Sequence, residues 1–236
     1  EMELLIRDYS VDEFQIIDDN FTMKKQHALD VCEEIVRRKF EIVWKTPNGI
    51  RLDGLDDELL RAMKASGCYQ LGFGIESGNP TVLKNCKKEL DLSLVEKTIE
   101  SVKRHGIEVY GFFILGLPGE NMNTAADTIR LMKSGFDHVS VSFCIPYPGS
   151  ELFELADSRG EASRNWDEYI HYKPARTSDL SPAQLKSLMR RALLSFYMRP
   201  DAAMRLLKKI RAGQIVFVLK PVSYTHLRAH ETPEHL

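Results

Sequence analysis

The chain has 236 residues, 43% hydrophobic and 28% charged, enough apolar material for one globular core with a small appendage rather than a disordered polymer. Its 32 basic and 34 acidic side chains leave a formal charge of -2, which excludes the basic footprint of a nucleic-acid binder or of a protein held on an anionic membrane. No run approaches the roughly 20 apolar residues of a membrane span, and the opening EMELLIRD lacks the basic-then-apolar pattern of a secretory leader, so a cytoplasmic protein is expected.

Apolar runs with the character of buried parallel strands fall at 14–17, 41–44, 69–75, 108–115 and 138–145. Amphipathic helices are expected between them. One carries Ala28, Val31, Cys32, Ile35 and Val36; another carries Val95, Ile99 and Val102; a third carries Ala125, Ile129, Met132 and Phe136. The repeat of about 30 residues is the size of a βα unit, and five consecutive units predict a parallel sheet, either doubly wound or closed towards a barrel.

Past residue 150 the pattern turns helical. Trp166, Tyr169 and Tyr172 lie in a linker-like stretch, and Ser181-Pro182-Ala183-Gln184 is a capping box with proline at the first helical position. A helix is expected to about Met198 and a second from Asp201 to Arg211, the first burying Leu185, Leu188, Met189, Ala192 and Phe196. The domain division expected is 1–160 for the sheet, 161–212 for the helical extension and 213–236 as disordered. Residues 223–236, SYTHLRAHETPEHL, resemble a translated sequencing adaptor, so His226, His230 and His235 are not read as metal ligands.

Cys32, Cys68, Cys86 and Cys144 are scattered, with no pair close enough for a local metal knuckle, and read as small buried hydrophobes. The polar residues sit instead after the strands. Asp18-Asp19-Asn20 follows the first, Lys45 to Arg51 the second, Glu76-Ser77-Gly78 the third, Gly116 to Glu120 the fourth and Pro146 to Ser150 the fifth. Five such endings on one face suit a polar ligand, although any one alone is ordinary turn chemistry, with Asp19 or Asn20 available to cap the next helix. The spacing G-x-G-x-x-x-G at 72–78 is not a dinucleotide fingerprint, and no P-loop is present. Lys45 at a strand end leaves open a Schiff-base lyase or aldolase.

The ordered set DDNFT at 18–22, GIR.D at 49–53, GIESG at 74–78, FFILGLPGE at 112–120 and PYPGS at 146–150 resembles the radical S-adenosylmethionine (SAM) superfamily over roughly residues 10–212. It is most similar to the branch whose members often carry an upstream cobalamin-binding domain. The resemblance implies an α/β fold: a partial (β/α)6 TIM-like barrel, here lacking its first βα unit, with a C-terminal helical extension. It also implies a [4Fe–4S] cluster held by C-x-x-x-C-x-x-C in a loop expected upstream of Glu1, so that the chain by itself is expected to be inactive and prone to aggregate. By the same resemblance Asp18 and Asp19 stand near the methionyl amine of SAM, Arg51, Glu76 and Ser77 near its carboxylate and ribose, Ile114 and Gly116 beside the adenine, and Glu120 braces that loop. Asp-Asp in place of Gly-Gly-Glu, and Glu120 one residue late, depart from the family pattern. The implied activity is cleavage of SAM to a 5′-deoxyadenosyl radical that acts on a small or lipid-like organic substrate, in methyl transfer or cyclisation with cobalamin, fed by a flavodoxin or ferredoxin. A barrel that binds a nucleoside-like ligand without a cluster is the alternative.

Overall fold

A computed structural model describes residues 1–165, Tyr169 and residues 177–209, excluding the side chains of 206–209. Trp166, Tyr172 and the segment 210–236, with its three histidines, lie outside the described residues.

Five strands, β1 Glu13–Gln15, β2 Val43–Ile50, β3 Cys68–Glu76, β4 Glu108–Leu115 and β5 His138–Phe143, form one sheet in sequence order. Every neighbouring pair is parallel. The intervening helices are α2 Lys25–Arg37, α3 Asp57–Ala65, α4 Pro80–Asn85, α5 Leu92–Arg104 and α6 Met122–Met132; α1 Met2–Tyr9 precedes the sheet, and α7 Glu151–Ser158, α8 Pro182–Tyr197 and α9 Pro200–Lys209 follow it. Sequential parallel order with a helix after each strand curls the sheet into a half-barrel, the fold expected from the resemblance.

The helices bury the faces that their spacing marks. Ala28, Leu29, Cys32 and Ile35 are buried on α2, and Val95, Ile99 and Val102 on α5. Along β4, Val109, Phe113 and Leu115 are buried, whereas Glu108, Tyr110, Phe112 and Ile114 alternate with them and are half-buried. Phe113 meets Phe136 edge-on at 5.4 Å. Trp44 is wholly buried with its indole N–H donating to the Ser66 carbonyl at 3.1 Å, and Phe21 packs edge-on against it at 5.6 Å. Such aromatic contacts add to the area each ring removes from water.

Two sequence expectations change. Strand β2 does not stop at Trp44 but runs to Ile50, because its register slips: Thr46 pairs with Leu71 and Ile50 with Phe73. The extra residues form a bulge that tolerates Pro47 and a left-handed Gly49 (φ +88) inside a strand. That bulge folds over β3, where a Cβ at Gly72 would sit 2.7 Å from the Thr46 carbonyl and 2.8 Å from the Phe112 ring. Gly72→Ala is therefore expected to cost about 1–2 kcal/mol, read as a lower denaturant midpoint at unchanged slope. Second, Lys45 lies within β2, not at its end. Its ammonium is 3.2 Å from Glu13 and 5.7 Å from the Tyr69 ring centroid, and Tyr69 O–H donates to Glu13 at 2.5 Å.

Contacts divide the chain into Glu1–Leu193 and Leu194–Leu236. In the first unit, the capping box that opens α8 is formed: Ser181 N–H donates to Gln184 at 2.8 Å and Gln184 N–H to Ser181 at 3.3 Å. Leu185, Leu188 and Ala192 are buried there, while Met189 is only half-buried. In the second, Arg199 stacks 4.5 Å from the Phe196 ring centroid, and Arg205 bonds Asp201 at 2.9 Å.

Candidate S-adenosylmethionine cleft

At the carboxyl ends of β2 and β3 the bulge, the loop after β1 and the loop after α4 enclose an open cleft of about 320 Å³. Asp19, Asn48, Arg51, Asp53, Glu76 and Lys88 supply most of its polar lining. Three of the sequence candidates, Asp19, Arg51 and Glu76, are thus brought together.

Glu76 ends β3 with φ +66, and Ser77 N–H donates back to the Ile75 carbonyl at 2.9 Å. A three-residue turn with positive φ at its centre is the rare, strained γ form. It aims the Glu76 carboxylate over Gly74, where a Cβ would meet Oε1 at 2.8 Å. Lys88 completes the pair, its Nζ 3.3 Å from Glu76 Oε1. The left-handed Lys87 (φ +55) turns its own side chain away to Glu151 on α7, at 2.5 Å. On the opposite wall Arg51 grips Asp53 through two bonds of 2.8 and 2.9 Å, holding the Asp53 carboxyl below the usual carboxylate range. Asp19 and Glu89 have no ion pair among the described residues, so the unbalanced charge of the cleft is acidic.

The remaining candidates do not line this cleft. Asp18 accepts the Asn20 N–H at 2.7 Å in a local turn, and α2 is capped at Lys24, so neither Asp19 nor Asn20 caps that helix. Ser77 is fully buried, facing Thr128 at 3.2 Å and accepting the Asn79 N–H at 3.1 Å. Ile114 packs against Val82, Leu117 and Cys144. Gly116 (φ +87) lies under Leu185 of α8, and its carbonyl accepts from the Thr177 hydroxyl. Glu120 is wholly buried: one oxygen accepts the Gly116 N–H at 2.5 Å, and the other has no partner among the described residues. Burial pushes its carboxyl up to about 7. Lys88, Glu89, Asp53 and Asn48 line the cleft without being site candidates from sequence, although Asn48 stands in the strand ending from Lys45 to Arg51 and Asp53 in the motif GIR.D. A lysine pair after a six-residue helix reads as solvated charge, and Asn48 gains its place only through the bulge.

A cluster ligand set is not gathered here. Cys32, Cys68 and Cys144 are buried, and Cys86 half-buried, as free thiols. No group of three or more His, Cys, Asp or Glu among the described residues could hold a metal ion. Nor is any described helix long and apolar enough to cross a membrane. Lys45 does not fit a Schiff-base nucleophile. Such an amine must shed its proton near neutral pH, whereas Tyr69 and then Glu13 raise the Lys45 pKa. Borohydride trapping with carbonyl compounds is expected to leave Lys45 unmodified by peptide mass mapping.

The family model of the radical SAM superfamily matches residues 1–132. An uncharacterized methyltransferase of Pyrococcus horikoshii is 29% identical over 208 residues, covering 87% of this chain and 45% of that protein. Cytidylyl-2-hydroxyethylphosphonate methyltransferase of Streptomyces wedmorensis is 39% identical over 167 residues, 66% of this chain and 31% of its own length. The chain therefore spans less than half the length of these relatives. Among solved structures, the radical SAM methyltransferase TsrM of Kitasatospora setae, with tryptophan and a SAM analogue bound, shares the fold at a TM-score of 0.59 and 21% identity, over 78% of this chain and 38% of that one. The cobalamin-dependent SAM radical enzyme OxsB shares it at 0.59 and 13%, over 94% and 39%. With its half-barrel, its motifs in order and this match over more than half its length, the chain belongs to the radical SAM superfamily.

Proposed function

We propose that the cleft between β2 and β3 binds SAM, and that the chain is the SAM-binding part of an enzyme that methylates or cyclises a small organic substrate. The observation that carries this reading is the convergence of Asp19, Arg51, Glu76 and Lys88 on one open cleft at the strand ends. SAM bears an ammonium and a sulfonium against one carboxylate, and a cleft with an acidic surplus and two placed cations matches that pattern. Asp19, beside Asp18, takes the amine. Lys88 and Arg51 offer charge to the carboxylate, and Glu76 accepts from ribose hydroxyls or the amine. Ile114, Gly116 and Glu120 shape the adenine side, and Ser77 acts behind Glu76.

When bound, SAM supplies the activated sulfonium on which the superfamily's chemistry turns. The chain's own residues bind it, orient it and limit water. The described residues gather no set of ligands for a [4Fe–4S] cluster, so the part of this chain in the reaction is to hold SAM. The methyltransferase relatives support methyl transfer, the cobalamin bound in OxsB supports that cofactor, and the anaerobic magnesium-protoporphyrin IX monomethyl ester cyclase of Rubrivivax gelatinosus, 26% identical over 159 residues, supports cyclisation. A flavodoxin or ferredoxin donor belongs to the same reading.

Calorimetric SAM titration of the full-length protein tests it. Lys88→Ala and Glu76→Gln are each expected to weaken binding about tenfold or more. Unchanged affinity in both variants would remove the cleft from consideration.

A further inference from the structure

Glu76 occupies a backbone conformation that costs a side-chain-bearing residue on the order of 1–3 kcal/mol and persists only where the surroundings impose it. What imposes it lies on a different element. The γ-turn is followed by Gly78, pressed so closely on α6 that a Cβ would fall 2.7 Å from the Asp127 carbonyl and 2.8 Å from Thr128 Cα. Thr128, fully buried in the middle of α6, accepts the Gly78 N–H at 3.0 Å and faces the Ser77 hydroxyl at 3.2 Å. Its own hydroxyl proton points to the Thr124 carbonyl at 3.4 Å. Ser77 in turn accepts the Asn79 N–H, and the Asn79 amide donates to Asp127 at 2.9 Å. Each hydroxyl is then used as one donor and as an acceptor, and neither Ser77 nor Thr128 leaves a buried side-chain oxygen without a partner.

We propose that Thr128 is a positioning residue for SAM: acting through Ser77 and Gly78, it holds Glu76 in its left-handed turn so that the carboxylate stays in the cleft. Thr128 does not itself line the cleft. This rests on the SAM reading of the cleft. It also explains why Ser77, whose position in the sequence invites assignment to a ligand, is spent on a helix instead.

Thr128→Val keeps the shape and removes the hydroxyl, whereas Thr128→Ser keeps the hydroxyl. In the full-length protein Thr128→Val is expected to weaken SAM binding on the order of tenfold. Amide hydrogen exchange at Ser77 and Gly78 should quicken while the body of β3 stays protected, and Thr128→Ser should restore both. Parent-like SAM affinity in Thr128→Val, or parent-like protection of the Ser77 and Gly78 amides, overturns the proposal. If the valine variant does not fold, Thr128→Ala is read the same way. Glu76→Gln separates this inference from the cleft assignment. Weakened binding there with none in Thr128→Val sinks this inference alone; unchanged affinity in both Glu76→Gln and Lys88→Ala sinks the cleft reading, and the exchange measurement still decides whether Thr128 holds the turn.

Discussion

Replacing Glu120 by glutamine is expected to make the chain gain stability relative to the parent as the pH rises. Glu120 is wholly buried, with one hydrogen bond to Gly116 and no cation beside it among the described residues. Its carboxyl is lifted from 4.5 to about 7, chiefly by desolvation. Below the unfolded value both states are protonated and the burial carries no ionisation penalty. Between the two values the unfolded chain releases its proton and the folded chain does not, so stability falls until the folded group also ionises. At 1.36 kcal/mol per unit, the parent should lose about 2 to 3 kcal/mol relative to Glu120→Gln between about pH 5 and about pH 8. Chemical unfolding of both proteins across that window measures it. Parallel stability curves would mean that Glu120 is ionised in the fold.

The second large effect is expected at Gly78. A methyl group there meets three backbone atoms of α6, Asp127 O at 2.7 Å, Thr128 Cα at 2.8 Å and Asp127 C at 2.9 Å, and backbone in the middle of a helix cannot step aside as a side chain can. Gly78→Ala should cost about 3 kcal/mol or more. Gly54→Ala is the matched control. Its φ is +90, but nothing lies within 4 Å of the added carbon, so only the conformational cost of about 1–2 kcal/mol applies. Equal losses in urea unfolding would show that the junction between β3 and α6 is looser than these distances require.

The parallel sheet was legible because its strands are buried on one face by helices of regular spacing, and Val95, Ile99 and Val102 fall where that spacing puts them. The capping box at Ser181 was equally local and equally readable. Other elements gave weaker signals. Helix α1 buries none of its residues and α4 has six, too few for a periodic stripe. Pro47 and Gly49 look like a strand end and turn out to be a bulge within one, because only the partner strand reveals the register slip. The cleft shows the same division. Strand-end position pointed to Asp19, Arg51 and Glu76, but not to the direction each side chain takes. Ser77 and Glu76 are neighbours in sequence; a positive φ at Glu76 sends one into the cleft and the other into α6. Lys88 depends on a left-handed Lys87, which no pattern of charge announces.

Photolabelling of the full-length protein with an azido derivative of SAM, followed by peptide mapping, tests the cleft assignment most directly. The label is expected within residues 48–53 and 74–90, the segments that supply most of the cleft wall, and within residues 112–120 on the adenine side, and excess unlabelled SAM should suppress it. Competable labelling confined to other segments, or none at all under conditions where SAM binds, would contradict the assignment.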